Sequence, residues 1–465
     1  MILGQGSAAF AAAIKADELG IKTAMVGGKA TPGAVIGGTC VNVGCMPSKR
    51  LITVGTMFYN GTNSSFEGIK YGKGRVNFRR IIQEKDALVR KFRKEKYADV
   101  LKNLKNVTHH SGRGRFVSMG EVKAGNETLR AGKFLIATGA RANIPLVPGI
   151  DGIDYLTNEE ALSLRELPMF LCVVGGRALG LEFAQMFAQL GTRVTVLQRS
   201  ERILPDDEPE ISATLAGYLE DIGVSIRTNV EITGIAKKGK TKTISFSTNG
   251  MQGRVDCEQV LFATGRRPNT DYLDLNRAGV KTDSKGFVVV DNKMRTSVPN
   301  IWAAGDVTGE PMLETVAAKE GSLMVYNAFN SNKREIKFNE VPSAVFTYPE
   351  VARVGLTEAE ANRNGIKCSC GIVPFDLVPK AHVIGDTRGL VKIVVNRENK
   401  QIVGVHILAP HAADLIHEGV LAVKNKLTID DIIDTVHVFP TLSESIKLAA
   451  QSFYMDVAEM SCCVE

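Results

Sequence analysis

Two glycine-rich turns, one at the start of the chain and one near its middle, most constrain the fold. The first, Gly-Gln-Gly-Ser-Ala-Ala from Gly4 to Ala9, precedes an alanine-rich segment and then a strand-like run from Lys22 to Val26. The second, from Gly175 to Gly180, follows a continuous apolar run and precedes a helical segment. A strand, a glycine-rich turn and a helix in this order direct backbone N–H groups and a helix N-terminus towards a phosphate. The repeat therefore predicts two α/β units that each bind a dinucleotide.

Apolar runs that end in Ala-Thr-Gly close both units. This tripeptide occupies residues 137–139 and again residues 263–265. The run from Ile301 to Asp306 indicates a return of the chain to the first unit. From about residue 339 strands and helices continue without a glycine-rich turn, which favours an α+β interface module. We predict an α/β fold with two dinucleotide-binding domains, the first of residues 1–148 and 270–337 and the second of residues 149–269, and a C-terminal α+β dimerisation domain (338–465).

The composition excludes several classes of function. The net charge of +7 is not organised by a basic and aromatic motif, so we expect no nucleic-acid partner. No apolar run reaches the roughly 18 residues that a membrane span needs, so we expect no membrane partner. Eight cysteines in so long a chain do not indicate a disulfide scaffold, and we expect a reducing, cytoplasmic setting.

Two cysteines near the start of the chain are spaced for redox exchange. Cys40 and Cys45 lie within Gly-Gly-Thr-Cys-Val-Asn-Val-Gly-Cys-Met-Pro-Ser-Lys, at an expected helix start where Pro47 suits the first turn. A helix N-terminus favours a thiolate, so the pKa of a cysteine there falls. A buried structural disulfide is the alternative, and the specific flanking residues argue against it.

The second unit carries features that bear on the choice of nucleotide. Arg177 stands where the middle glycine usually lies, so either the pyrophosphate is approached differently or Arg177 turns outward. The following strand ends at Gln198, Arg199 and Arg202, without an acidic residue. An acid would hold a free ribose 2′-hydroxyl, whereas an arginine accommodates a 2′-phosphate. The sequence thus favours NADPH over NADH; arginines that are only surface charge are the alternative.

A second cysteine pair, Cys462 and Cys463, lies near the end of the sequence. Adjacent cysteines do not easily form a disulfide with each other, and their soft thiolates prefer soft metal ions. The pair is therefore a candidate ligand set for a soft metal ion, with two incidental cysteines as the alternative.

These motifs together resemble the pyridine nucleotide-disulfide oxidoreductases over nearly the whole chain. The segment that contains Cys40 and Cys45 is highly specific to that family, and the Cys462-Cys463 pair favours its mercury-reducing members. The resemblance implies two Rossmann-like domains, an FAD-binding domain of residues 1–148 and 270–337 and an NADPH-binding domain of residues 149–269. It also implies a cytoplasmic homodimer that receives Hg(II) as thiol complexes. It also implies that the tail pair reaches the redox pair of the other subunit, so that all four cysteines bind mercury in turn.

The resemblance implies a role for each matching residue. Cys45 would be the flavin-contacting thiolate, Cys40 the exchange thiol, and Lys49 would lie beside the flavin and pair with Glu182. The residues expected to contact FAD are Gly4, Gly6, Ala9, Gly38, Thr39, Lys49, Gly114, Thr138, Gly139, Asp306 and Glu314. Those expected to contact NADPH are Gly175, Gly176, Gly180, Arg199 and Arg202.

One departure separates this chain from the disulfide-reducing members. Those enzymes need an acid-base histidine next to Pro-Thr and a glutamate that orients it. Here Phe439 occupies the histidine position while Glu444 is kept, and His437 lies two residues earlier. A phenyl ring cannot protonate a thiolate, so reduction of lipoamide or glutathione should be poor. Phe439 and Ala178 also stand where some mercury-reducing members have tyrosines. We expect the two missing hydroxyls to affect the rate of metal reduction rather than whether the metal is reduced.

Three functions follow from the sequence, and one leads. The leading hypothesis is an NADPH-dependent flavoenzyme that reduces Hg(II) to Hg(0) for detoxification. A dihydrolipoamide dehydrogenase or related disulfide reductase is the second, and Phe439 argues against it. A flavoprotein that sequesters Hg(II) without turnover is the third. Lys49, Glu182 and Asp306 argue against that, because sequestration needs no flavin machinery.

Overall fold

The computed structural model describes residues 1–28, 35–69, 72, 74–331 and 333–461. Its strands are β1 Ile2–Leu3, β2 Thr23–Gly27, β3 Val107–Ser111, β4 Gly114–Ser118, β5 Glu121–Ala124, β6 Glu127–Arg130, β7 Phe134–Ile136, β8 Ala140–Ala142, β9 Phe170–Val174, β10 Arg193–Leu197, β11 Val224–Arg227, β12 Val230–Lys238, β13 Thr241–Thr248, β14 Met251–Cys257, β15 Gln259–Phe262, β16 Arg266–Pro268, β17 Ile301–Ala303, β18 Ser343–Val345, β19 Glu350–Gly355, β20 Cys368–Pro374, β21 Leu390–Asn396 and β22 Ile402–Ala409. Its α-helices are α1 Ser7–Glu18, α2 Gly38–Val43, α3 Cys45–Thr62, α4 Phe78–Arg93, α5 Asp99–Asn103, α6 Asn158–Ala161, α7 Ala178–Gln189, α8 Pro209–Asp221, α9 Leu275–Ala278, α10 Glu314–Phe329, α11 Glu358–Arg363, α12 Pro379–Ile384, α13 Ala412–Asn425, α14 Ile429–Asp434 and α15 Glu444–Gln451. A π-helical segment, Lys94–Ala98, joins α4 to α5.

The first parallel sheet has the strand order β17-β7-β1-β2-β3. Because β17 pairs with β7 in parallel, the chain returns to the first unit after completing the second. Helices α1 and α10 cross closely on this sheet, where a Cβ on Gly321 would lie 2.0 Å from the backbone oxygen of Ala8. The close crossing places the start of α10 beside the first glycine-rich turn.

The second parallel sheet has the strand order β11-β10-β9-β15. Its strand β9 is buried at four of five positions, as its continuous apolar run predicts. The antiparallel strands β12, β13 and β14 form a separate sheet, and the basic stretch from Lys237 to Lys240 covers the end of β12 and the turn to β13. This unit therefore repeats the β-turn-α arrangement of the first.

The two units are joined through their Ala-Thr-Gly segments. Strand β8 pairs with β16, and each strand directly follows one of these segments. The Thr138 hydroxyl donates to the backbone oxygen of Asn269 at 3.0 Å, and the Thr264 hydroxyl donates to that of Asn143 at 2.6 Å. These reciprocal hydrogen bonds fix one glycine-rich turn relative to the other.

The C-terminal segment is an antiparallel sheet in the order β18-β19-β22-β21-β20, with α13 and α15 packed on it. The predicted fold class, two parallel α/β units followed by an α+β module, is confirmed. The domain boundaries stay a prediction. Among the residues that the structure describes, no helix is both long and apolar enough to cross a membrane.

Candidate active site

Cys40 and Cys45 face each other across a break between two helices. Cys40 lies in α2, and Cys45 is the first residue of the 18-residue helix α3. The prediction that both cysteines share one helix start is therefore wrong for Cys40. Gly44 separates the two helices, and a Cβ there would lie 2.9 Å from the backbone oxygen of Thr39 and 3.0 Å from the Cα of Cys40. Only glycine allows this close return of the chain.

The two thiols have opposite acidities. The hydrogen bond from Cys40 lowers the pKa of Cys45; burial opposes this effect, and the positive charge of Lys49 adds to it. The same hydrogen bond raises the pKa of Cys40, and burial raises it further. Both cysteines are free in this structure. Cys45 is therefore the more acidic thiol of the pair, and Cys40 is the one that keeps its proton.

Lys49 lies one helical turn after Cys45 and is held by residues from two other parts of the chain. Its Nζ is 2.6 Å from Glu182 Oε2 on α7, and the Glu182 side chain is only 6% exposed. The other oxygen of Glu182 accepts from the Phe346 backbone N–H at 2.9 Å, and the Phe346 ring lies 4.5 Å from Lys49 Nζ. The ion pair that the resemblance implied is thus present, and Phe346 is a supporting residue that sequence reasoning missed.

Glu314 contacts the thiol pair directly. Its Oε2 lies 2.5 Å from Cys40 Sγ, and its Oε1 accepts from Ser7 Oγ at 3.2 Å and from the Tyr97 hydroxyl at 3.4 Å. Cys40, Cys45 and Glu314 together offer three donor atoms within 4.8 Å of one another. Sequence reasoning missed this cluster, because its members come from segments that are far apart in the chain.

The first glycine-rich turn forms a surface made of backbone alone. Gly4 has φ of +132°, and a Cβ there would lie 2.1 Å from the Ala137 backbone oxygen. Gly38 has φ of +67°, and a Cβ there would lie 2.6 Å from the Cα of Gly6, the residue that precedes α1. A cradle that a side chain would fill, next to a helix N-terminus, fits the pyrophosphate of a dinucleotide. Ala9 is fully buried on α1, and its contact with FAD stays a prediction.

Several other residues predicted to contact FAD have roles within the fold. The Thr138 hydroxyl is bound to Asn269, as described above. A Cβ on Gly114 would meet the apolar side chains of Leu3 and Val26, so the missing side chain serves packing. Asp306 lies 3.5 Å from Arg266 Nε, and burial raises the pKa of this aspartate against the effect of that arginine. Contacts of Thr39, Gly114, Thr138 and Gly139 with FAD stay predictions.

The second glycine-rich turn forms a similar cradle. Gly175 has φ of +114°, and a Cβ on Gly180 would lie 1.9 Å from the Gly175 backbone oxygen, so α7 packs tightly on its strand. Arg177 is exposed and its guanidinium pairs with Asp206, which means that it turns outward. The Gly176 N–H donates to Gln198 Oε1 at 2.8 Å, so Gln198 supports the turn. A dinucleotide fits here as well.

The two arginines after β10 differ in what they already bind. Arg202 donates to the backbone oxygens of Pro205 and Asp207 at 2.9 and 3.3 Å, and therefore stabilises its own loop. Arg199 is exposed at the end of the strand. Of the two, Arg199 is the better placed for an additional phosphate.

Matches to known protein families agree with this geometry. Residues 1–321 match the pyridine nucleotide-disulphide oxidoreductase family, and residues 341–450 match the dimerisation domain of that family. The chain belongs to the pyridine nucleotide-disulphide oxidoreductases. The family predicted from the sequence is therefore confirmed, and with it the use of a flavin and a pyridine nucleotide.

Among curated members of this family, the chain is similar to mercuric reductases. It is 40% identical to the mercuric reductase of Staphylococcus aureus over 463 residues, which cover 100% of this chain and 84% of that protein. It is 39% identical to the mercuric reductase of Streptomyces lividans over 467 residues, which cover 99% of this chain and 97% of that protein. The predicted resemblance to mercury-reducing members is thus confirmed.

Two solved structures have the same fold as this chain. The HOCl-induced flavoprotein disulfide reductase RclA from Escherichia coli superimposes with a TM-score of 0.85 at 28% identity, covering 96% of this chain and 97% of that one. LpdA from Mycobacterium tuberculosis superimposes with a TM-score of 0.85 at 27% identity, covering 98% and 99%.

The histidine position of the disulfide-reducing family members lies in the matched dimerisation domain. Phe439 is 49% exposed there, and Glu444 accepts from the Thr441 backbone N–H at 3.0 Å. His437 pairs with Glu418 at 2.9 Å and with the Thr435 backbone oxygen at 2.9 Å. Its two ring nitrogens are therefore both engaged. Cys462 and Cys463 lie outside the described residues.

Proposed function

We propose that this protein is an NADPH-dependent flavoenzyme that reduces Hg(II) to Hg(0). The observation that carries the proposal is the thiol pair itself: a Cys45 thiolate beside the Lys49–Glu182 ion pair, with Cys40 next to it. Soft sulfur donors of this kind suit a soft metal ion. Similarity to mercuric reductases over the whole chain supports the same reaction. Phe439 disfavours disulfide substrates, because it cannot act as the acid that they require.

The two glycine cradles are the sites that we assign to the cofactors. Gly4, Gly6 and Gly38 would hold the FAD pyrophosphate, with Asp306 nearby, and Gly175 and Gly176 would hold that of NADPH. The chemistry that a flavin bound in the first cradle would supply is acceptance of a hydride from NADPH and delivery of two electrons to the substrate ion. The exposed Arg199 supports NADPH over NADH, since a guanidinium can pair with a 2′-phosphate.

The thiols handle the substrate by ligand exchange. Hg(II) reaches the protein as a complex with two small thiols, and each protein sulfur that binds it releases one small thiol. Cys40 is the exchange thiol and loses its proton as it binds the ion, and Cys45, whose pKa is lowered, supplies the second sulfur. In the overall reaction NADPH and Hg(II) give NADP⁺, H⁺ and Hg(0), so charge and electrons balance.

We further propose a cytoplasmic homodimer in which Cys462 and Cys463 of one copy deliver Hg(II) to Cys40 and Cys45 of the other. The match of residues 341–450 to the family's dimerisation domain supports the dimer. A reducing compartment supports the chemistry, because all four thiols must stay reduced to bind the ion.

Steady-state assays distinguish this function from its two alternatives. NADPH oxidation and Hg(0) release are measured with Hg(II) supplied as a bis-thiol complex, and NADPH oxidation is measured separately with lipoamide and with glutathione disulfide. We expect turnover and Hg(0) release with Hg(II) alone. The Cys45→Ala variant should lose about 1000-fold in kcat/KM, or about 4 kcal/mol, whereas Cys370→Ala should retain wild-type activity.

The alternatives predict different results in the same assays. A disulfide reductase would oxidise NADPH with lipoamide or glutathione disulfide and release no Hg(0). A protein that only sequesters mercury would bind Hg(II) and show no continued NADPH oxidation. Either result would refute the proposed function.

A further inference from the structure

We infer that the reduced thiol pair and Glu314 form a three-donor site for a borderline divalent cation, Zn²⁺ or Cd²⁺, which competes with Hg(II). The inference concerns the same site as the proposed function and deepens it, because it assigns to Glu314 the choice among metal ions. The inference is based on the position of a Glu314 carboxylate oxygen next to the sulfurs of Cys40 and Cys45.

The donor set has the composition of a zinc site. Zn²⁺ binds cysteine sulfur at about 2.3 Å and carboxylate oxygen at about 2.0–2.2 Å, and catalytic zinc sites use three protein ligands and one open position. Cys40 Sγ, Cys45 Sγ and a Glu314 oxygen already lie within 4.8 Å of one another. Tetrahedral bonding at those lengths separates ligand atoms by about 3.5 Å. The 2.5 Å contact between Cys40 and Glu314 must therefore widen by about 1 Å.

The two oxygens of Glu314 have different surroundings. Oε1 is held by the hydroxyls of Ser7 and Tyr97, whereas Oε2 is the oxygen directed at Cys40. Hydrogen bonds to the outer side of a ligating group fix its orientation and strengthen metal binding. Glu314 is also the first residue of α10, and its side chain is exposed, so a movement of about 1 Å requires no change in packing.

Charge favours a dication at this position. Two sulfurs and one carboxylate converge, and the neighbouring Lys49 is paired with Glu182 at 2.6 Å. A divalent ion that enters displaces the thiol proton of Cys40 to solvent, and the two thiolates and the carboxylate then balance its charge.

Hg(II) should depend much less on Glu314. Two thiolates satisfy this soft ion, so an oxygen donor adds little, whereas Zn²⁺ and Cd²⁺ take up further ligands. Zn²⁺ has no accessible redox chemistry, so once bound it is not reduced and blocks the site. Glu314 would therefore make the protein sensitive to zinc without contributing to mercury capture.

The test measures Zn²⁺ binding to the NADPH-reduced holoenzyme under anaerobic conditions, by competition with a chromophoric chelator. We expect one Zn²⁺ per active site in the wild type and about 100-fold weaker binding in Glu314→Gln, because loss of a ligand should cost at least as much as the roughly 10–100-fold that loss of an outer-shell partner costs. Glu314→Asp should bind with intermediate affinity. Glu310→Gln is the matched control, because its carboxylate accepts from the Met312 backbone N–H instead of contacting a thiol, and it should bind as the wild type does.

A second measurement detects metal binding directly and does not depend on the enzymatic activity of the variants. Cd²⁺ bound to thiolates absorbs in the ultraviolet, and this band should appear with the wild type at lower Cd²⁺ concentrations than with Glu314→Gln. Titration with Hg(II) should still consume both thiols of Cys40 and Cys45 in that variant. Equal Zn²⁺ affinity in the wild type and Glu314→Gln, or an equal loss in Glu310→Gln, would overturn the inference. Failure of Hg(II) reduction would instead refute the proposed function and leave the zinc measurement unaffected.

Discussion

Glu320 is a buried carboxyl next to the first nucleotide turn. It is 3% exposed, and its Oε2 accepts from the Gly305 backbone N–H at 2.6 Å. Burial raises the pKa of Glu320 from 4.5 to about 7; the hydrogen bond from Gly305 opposes this, and the charge of Asp306 adds to it. The neutral form is therefore the one that the fold favours.

The stability of the protein should consequently fall as the pH rises. A carboxyl whose pKa is higher in the folded than in the unfolded state contributes fully below the unfolded value, and this contribution is lost as the pH passes the folded value. We expect a decrease of about 3 kcal/mol in the free energy of unfolding between about pH 4.5 and pH 7 from this group. Urea denaturation across this range measures it. The Glu320→Gln variant should lack this contribution, and an unchanged pH profile in the variant would contradict the assignment.

Gly38 offers a residue-level test of the first cradle. A Cβ at Gly38 would meet the Cα of Gly6 at 2.6 Å, whereas a Cβ at Gly20, with the similar φ of +69°, would have nothing within 4 Å. Both alanine variants incur the strain of a left-handed backbone, about 1–2 kcal/mol, but only Gly38→Ala also fills the cradle. We expect Gly38→Ala to lose bound flavin and Gly20→Ala to retain it, measured as the flavin-to-protein ratio after purification. Equal flavin content in the two variants would show that the cradle is not the flavin site.

At the scale of helices and strands, local patterns predicted the repeated units well. The continuous apolar run before the second glycine-rich turn forms the buried strand β9, and the alanine-rich segment after the first turn forms the helix α1, Ser7–Glu18. In these elements the apolar spacing alone decides which face is buried. The short helix α2 was not predicted. The break at Gly44 depends on a close approach of backbone atoms, and the spacing of apolar residues along the sequence gives no sign of such an approach.

The candidate site was predictable only in part, for the same reason. The sequence indicated the cysteine pair, because both residues lie in one short and specific segment. The contacts of Glu314 with Cys40, Ser7 and Tyr97 join four separate segments, and they depend on how α10 crosses α1. Tyr97 lies in the π-helical segment, a local irregularity that no pattern in the sequence predicts. Contacts of this kind follow from tertiary packing and not from residue spacing.

At the scale of the whole molecule, a buried ion cluster joins the second nucleotide-binding unit to the C-terminal sheet. Lys392 on β21 is 1% exposed, and its Nζ lies 2.9 Å from Glu208 and 3.0 Å from both Glu210 and Glu358. Glu208 precedes α8 and is 2% exposed. Removing one member of a buried pair leaves the other charge without compensation, which costs far more than the pair contributes when intact.

The Lys392→Met variant should therefore be about 3–5 kcal/mol less stable than the wild type in urea denaturation, because Glu208 stays buried without a cation. Lys400→Met is the matched control: that lysine is 52% exposed and pairs with the exposed Asp430 at 2.9 Å, so the expected change is about 0.5 kcal/mol.

The cluster should also couple the unfolding of the second nucleotide-binding unit to that of the C-terminal sheet. In Lys392→Met the two parts should therefore unfold separately, and far-UV circular dichroism and flavin fluorescence would report two transitions at different urea concentrations. A double variant, Lys392→Met with Glu208→Gln, should recover part of the lost stability, since it removes the uncompensated charge. Similar losses in Lys392→Met and Lys400→Met, or no recovery in the double variant, would show that the cluster does not couple the two parts of the molecule.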